Sequence, residues 1–201
     1  KLTNGDTDLF IGTHKGKMIR FNEKDVRELG RVSRGVRAIK LEDDDYVVGM
    51  SVYRDGGKML VVSENGFGKK TELEEYKTQS RGGKGCSTYK ISPETGNVSG
   101  IKVVSPEDDI IIITSEGVII RLDSEDISTY SRVTKGVRLM RLAEGVKVAT
   151  IARVEKEQEF EEEVDSLESK GTVETSEPTE TMESVEDTEL SEATEPTDEN
   201  I

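Results

Sequence analysis

The stretch Met59-Leu60-Val61-Val62-Ser63-Glu64-Asn65-Gly66-Phe67-Gly68-Lys69-Lys70-Thr71 reads as strand, tight turn, strand. Its apolar run is too short for a helix and suits a strand buried on both faces. The polar residues after it end in a glycine, which supplies the positive φ of a hairpin turn. The same device occurs twice more in the chain. Leu9-Phe10-Ile11 precedes His14-Lys15-Gly16, and Ile110-Ile111-Ile112-Ile113 precedes Ser115-Glu116-Gly117. The turn glycines Gly16, Gly66 and Gly117 are 50 and 51 residues apart. A second set, Gly35, Gly85 and Gly136, keeps the same steps, 19 residues after the first in every copy. Such regularity marks three copies of one unit.

Each unit reads as four short strands. The second strand is Lys17–Phe21, Phe67–Thr71 or Val118–Leu122. The third follows the second glycine, as in Val36–Lys40 and Val137–Arg141, and the fourth is Tyr46–Tyr53, Val98–Val104 or Val146–Val154. Four strands in about 50 residues make a blade, which needs neighbours to bury both its faces. The predicted fold is therefore all-β, with blades at 3–53, 54–104 and 105–154. Because three blades do not close a ring, the chain reads as a piece of a longer protein with further blades upstream.

The basic residues keep the same register. Four before the second glycine stand Arg31, Arg81 and Arg132, and one before it Arg34, Lys84 and Lys135. Five after it are Lys40, Lys90 and Arg141, and two after it Arg37 and Arg138, with Ser87 in the middle copy. Arg20, Lys70 and Arg121 recur four after the first glycine, with Lys69 beside Lys70. Any one of these is explained by a solvated strand edge that discourages pairing. Held in register over three blades, they form stripes suited to a polyanion of regular spacing, duplex DNA. In the middle copy the stripe includes Gln79-Ser80-Arg81-Gly82-Gly83-Lys84-Gly85, whose glycines let a backbone approach a phosphate and aim N–H groups at it. Asp25, Glu75 and Asp126 recur nine after the first glycine, placed to hold the connection or pair with a repeated cation.

The net charge of −14 conceals two opposite parts. Residues 1–154 carry a net +3, and residues 155–201 a net −17. The second segment, rich in Glu, Thr, Ser, Asp and Pro, has too little apolar surface to offset an ordering cost of about 1–2 kcal/mol per residue. It is predicted to be a disordered acidic tail. Tethered to a basic rim, it is expected to compete with DNA.

Other chemistry finds little support. One cysteine, Cys86, and one histidine, His14, give no disulfide and no Cys/His zinc set. Phosphate-loop and nucleophile-elbow motifs are missing. Gly66-Phe67-Gly68 lacks the third glycine of a dinucleotide fingerprint and reads as part of a hairpin. Glu42–Asp45 lacks the spacing of a calcium loop. None of the five tyrosines stands in a context that matches a DNA-cleaving nucleophile. With no long apolar run or secretory leader, the expectation is a soluble protein of a reducing compartment such as the cytoplasm, without membrane contact. Neither a cofactor nor a metal is expected in this segment.

These units, with turns such as Ser63–Thr71, resemble the C-terminal domain of the DNA gyrase A subunit. Gln79–Gly85 is similar to that family's gyrase box, Gln-Arg-Arg-Gly-Gly-Lys-Gly, at six of seven positions, with Ser80 at the variant one. The resemblance covers residues 1–154. It implies a six-bladed β-pinwheel, propeller-like but with a different strand arrangement, of which this chain holds the last three blades and the tail. It further implies that DNA wraps around the basic rim with a chiral sense, making ATP-driven negative supercoiling possible. The implied partners are duplex DNA, the rest of the A subunit and the B subunit, in an A2B2 complex. ATP and Mg2+ would act through other domains and the partner subunit, and the cleaving tyrosine would lie upstream. Because the family's box belongs to the first blade, Gln79–Gly85 would be a later echo of it. The A-type subunit of topoisomerase IV is the nearest alternative, and a propeller-like protein-binding scaffold a more distant one.

Overall fold

The computed structural model describes residues 1–156, so the predicted tail lies almost wholly outside the described residues. In chain order the strands are β1 (Asp8–Thr13), β2 (Lys17–Asn22), β3 (Val47–Val52), β4 (Lys58–Ser63), β5 (Phe67–Glu72), β6 (Cys86–Ser87), β7 (Val98–Val104), β8 (Asp108–Thr114), β9 (Ile119–Asp123), β10 (Val137–Arg138) and β11 (Val148–Glu155). They form three antiparallel sheets, ordered β3-β1-β2-β6, β7-β4-β5-β10 and β11-β8-β9.

The hairpin glycines adopt the left-handed conformation, with φ of +70°, +78° and +83° at Gly16, Gly66 and Gly117. The N–H of each donates three residues back, to Thr13, Ser63 and Thr114. Alternation along each first strand then sends neighbouring residues into different cores. Met59 and Val61 face the first sheet and join Phe10, Met18, Tyr76 and Ile101. Leu60 and Val62 face the third sheet and join Ile110, Ile112 and Ile151. A period of two thus splits a continuous apolar run between two interfaces, and the sheets stack as blades.

The third strand departs from expectation. It is only two residues long, and it joins the sheet of the preceding unit. β6 pairs with β2 through Lys17↔Ser87 and Met18↔Cys86, and β10 pairs with β5 through Val137↔Gly68 and Arg138↔Phe67. Each exchange is seated on its second glycine. Gly85 has φ +68°, and a Cβ there would be driven into the Met18 carbonyl, 2.8 Å from its carbon. Gly136, at φ +71°, lies against the Gly68 carbonyl in the same way. In the first unit residues 36–40 form no strand, having no preceding second strand among the described residues.

Polar clasps add to the apolar stacking. Asp108 is fully buried and accepts from the Ser105 N–H at 2.7 Å and its hydroxyl at 2.9 Å. Arg54 and Arg153 each approach its carboxylate to 3.1 Å. Burial pushes this carboxyl up, but the Ser105 donors and the two guanidinium groups outweigh it and hold the pKa below the usual aspartate value.

Candidate nucleic-acid interface

In each unit, a long connection leaves the second strand and, in the second and third units, leads to the exchanged third one. It opens with a 3-10 turn, Glu23–Asp25 or Leu73–Glu75, and in the third unit with a turn closed by Ile127 N–H donating to Ser124 O at 3.2 Å. A chain that must leave one sheet and seat its next strand on another runs over the surface, and it carries its polar residues there. Arg31, Arg34, Arg37, Lys84, Lys90, Lys135 and Arg138 are all exposed on these connections and the segments that follow them. Lys40 and Arg141 are exposed as well. Lys135 Nζ lies 2.9 Å from Glu94, a pair open to solvent and of little energetic weight. The Arg138 guanidinium sits 4.8 Å over the Phe67 ring, which leaves its edge free to donate.

The glycine-rich loop has a different role from the one expected. The Gly82 N–H donates to the Ala38 carbonyl at 2.7 Å, and the Gly83 carbonyl accepts from the Lys40 N–H at 2.8 Å. Arg81 is half-buried, its Nε donating to the Asp25 carbonyl at 3.0 Å and its Nη1 to that of Arg37 at 2.6 Å. Gln79 is anchored through its N–H to the Arg20 carbonyl at 2.8 Å. The Gly82 N–H and the Arg81 guanidinium are thus spent on the neighbouring unit, and Gly85 serves strand exchange. Lys84 alone in this loop presents an exposed cation. Arg132 is likewise half-buried: its backbone N–H donates to the Glu75 carboxylate at 3.0 Å, with Nε 3.9 Å away, so in the middle copy the recurring acid holds the next unit's connection.

The cations near the first glycine must be reassigned. Lys69 is 0% exposed, and its ammonium donates to the Ser131 carbonyl at 2.5 Å and to that of Arg132. Burial pulls its pKa down to about 8. Lys70 is buried too and donates to the Ser124 carbonyl at 2.5 Å. Neither reaches a surface ligand. Arg20 is fixed by Asp8 at 2.7 Å, with Nη1 donating to the Leu73 carbonyl at 3.0 Å. Leu73 and Ser124 occupy equivalent positions, so Arg20 and Lys70 make one repeated clasp to the next unit. Arg121 is exposed but held by Asp109 at 2.6 Å. Sequence register identified Arg20, Lys70 and Arg121 as equivalent, with Lys69 beside Lys70, but carried no signal that Arg20, Lys69 and Lys70 turn inward.

Arg27 and Lys77, both exposed, stand eleven after the first glycine and extend the outer stripe. Their repetition in two of three copies was the available signal. The loop tips Val32 and Val133, flanked by cations, are 100% and 55% exposed.

Comparison with known proteins agrees with this architecture. Residues 7–54, 57–105 and 108–155 each match the family described as DNA gyrase C-terminal domain, beta-propeller. The DNA gyrase A subunits of Staphylococcus epidermidis (strain ATCC 12228) and Staphylococcus aureus (strain NCTC 8325) are each 45% identical over 161 residues, 79% of this chain. The chain spans only 18% of the length of those relatives. Among solved structures, the C-terminal domain of DNA topoisomerase IV superposes with a TM-score of 0.73 at 26% identity, covering 77% of this chain and 49% of that one. The DNA gyrase A C-terminal domain gives 0.71 at 25%, covering 75% of this chain and 52% of that one. Fold likeness does not separate these two, whereas the higher sequence identity lies with gyrase A. On three matched repeats spanning most of its length, this chain belongs to the DNA gyrase C-terminal domain family of propeller-like repeats.

Proposed function

We propose that residues 1–154 form part of a pinwheel that binds duplex DNA without sequence preference and wraps it along the outer rim. The acidic segment 155–201 is an appended modulator. The observation that supports this reading most is the recurrence of exposed cations in register: Arg34, Lys84 and Lys135 on all three units, Lys40, Lys90 and Arg141 likewise, and Arg37 and Arg138 on two, with Arg31 exposed on the first. Cations in such a stripe neutralise successive phosphates, and base edges play no part. In this reading the chain is a non-catalytic part of a gyrase A subunit. Its wrapping, with a fixed hand, supports negative supercoiling by an A2B2 enzyme with the B subunit, in which ATP and Mg2+ act elsewhere. Such an enzyme works at the nucleoid in the cytoplasm. Among the described residues no helix is long and apolar enough to cross a membrane.

The test replaces Arg34 and Lys84 together by Ala, leaving Arg81 and its clasp intact. Loss of two phosphate contacts lowers the slope of log K against log salt by about 1.8 and weakens binding to every duplex alike. Weakening confined to particular sequences, or an unchanged slope, would refute wrapping by this stripe.

A further inference from the structure

Lys69 is buried at a place where the other two units carry isoleucine. Its equivalents, three after the first glycine, are Ile19 and Ile120. Ile19 is fully buried, so this position on the second strand accepts an apolar side chain. In the middle unit it holds an ammonium group instead, and burying a charge is costly unless partners compensate. Its partners are mostly neutral. Nζ donates to the Ser131 carbonyl at 2.5 Å and to that of Arg132, and the Tyr89 ring centre lies 5.9 Å away. All of these belong to the second and third units, on the two sides of one complete interface.

The loop over this ammonium is part of the cationic rim. Ser131 and Arg132 lead directly into Val133 and Lys135, both exposed. The loop is seated by the Lys90 N–H, which donates to the Thr134 carbonyl at 3.2 Å, and by the Tyr89 hydroxyl, which donates to the Lys135 carbonyl. One loop therefore lies between Lys69 and a phosphate that Lys135 meets. Among the charged and titratable groups facing Lys69, Glu75 on the connection favours the ammonium and Arg132 on the loop opposes it. Tyr89 is held above the ordinary tyrosine value by burial and stays neutral near pH 8. Desolvation outweighs Glu75 and brings Lys69 to about 8. An anion on the far side of the loop acts through protein rather than water, so its attraction is weakly screened and favours the charged form.

We propose that Lys69 is a hidden cation beneath the third unit's rim loop, and that duplex binding over residues 131–135 is coupled to its protonation. This rests on the rim-binding function proposed above. Lys69 does not touch the DNA; it acts through the loop it holds. A phosphate over the loop favours the ammonium, and by reciprocity the ammonium favours the phosphate. In the free chain Lys69 loses its proton as pH rises through about 8. In the complex it keeps that proton to a higher pH. Between the two values the complex holds more protons than its parts, so affinity falls as pH rises. If binding raises the value by one unit, about half a proton is taken up at pH 8.5, and affinity drops about fivefold between pH 7 and pH 9.

The experiment is calorimetry of the 201-residue chain binding a duplex at pH 8.5, in two buffers of different ionisation enthalpy, with affinities measured at pH 7 and pH 9. Lys69→Met removes the titrating group, and Ile19 shows that an apolar side chain fits there. Lys69→Arg keeps a charge but has no proton to exchange in this range. Wild-type uptake is expected to exceed that of either variant by about half a proton, and wild-type affinity to fall about fivefold more than theirs. A purely structural role for Lys69 would weaken K69M by the same factor at every pH and leave the proton count unchanged. Equal uptake in all three proteins, with the steep salt dependence intact, would overturn the coupling and leave rim binding standing. No duplex binding by the wild-type chain at low salt would overturn both.

Discussion

Alanine at two equivalent glycines separates backbone conformation from strand exchange. Gly35 and Gly85 occupy the same place in their units, with φ of +81° and +68°. Alanine at either adopts a left-handed conformation costing about 1–2 kcal/mol. At Gly35 that is the whole cost, because nothing lies within 4 Å of the new Cβ. At Gly85 the Cβ meets the Met18 carbonyl carbon at 2.8 Å and the Ile19 nitrogen at 3.3 Å, both backbone. No side chain there swings aside, so overpacking adds about 1–3 kcal/mol. Gly85→Ala should thus cost about 2–5 kcal/mol and Gly35→Ala about 1–2. For a folded body of this size, each kcal/mol lowers Tm by about 2–4 °C. Urea and thermal unfolding followed by circular dichroism give both values. Equal losses at the two sites would refute the seating of the middle unit's segment on Met18.

Three further outcomes are expected. Burial lowers Lys69 to about 8, while the unfolded chain keeps its proton up to the ordinary lysine range. Between those values the unfolded state binds more protons, so stability rises with pH there, and Lys69→Met should flatten that rise in urea titrations. Asp108 is depressed in the folded state, so its contribution is present above the ordinary aspartate pKa and fades as pH falls through the lower folded value. Asp108→Ala strips the buried Ser105 N–H and hydroxyl of their acceptor and leaves the partly exposed Arg54 and Arg153 without their shared carboxylate; it should cost about 1–3 kcal/mol at neutral pH, with the acid dependence reduced. Ending the chain at residue 156 removes a net charge of −17 and should tighten duplex binding, most at low salt; equal affinities would dismiss competition by the acidic segment.

The hairpins and their stacking were legible because they rest on local signals. β-branched runs, polar turns and a glycine at the required φ fix Asp8–Asn22, Lys58–Glu72 and Asp108–Asp123 within a residue or two. Strand exchange left no such signal. Cys86–Ser87 and Val137–Arg138 are pairs of residues, and their partners are decided by backbone contact with a different unit. The outer stripe was legible as a register, since exposure follows from lying on connections that must cross the surface. Direction was not legible. Lys69 points at carbonyls of the loop at 131–132 and Lys84 at solvent, although both look like lysines beside glycines in the sequence. Whether a repeated cation clasps the next unit or faces a ligand depends on packing between units, which periodicity does not encode.

The most direct test of rim binding is the affinity of the 201-residue chain for unrelated duplexes over a range of salt. The exposed cations at the recurring positions, Arg31, Arg34, Arg37, Lys40, Lys84, Lys90, Lys135, Arg138 and Arg141, predict one steep slope common to all sequences, approaching about −8 when all engage, at about −0.9 per phosphate. A shallow slope, or affinities that differ sharply between sequences at equal salt, would contradict a rim that reads only the phosphate backbone.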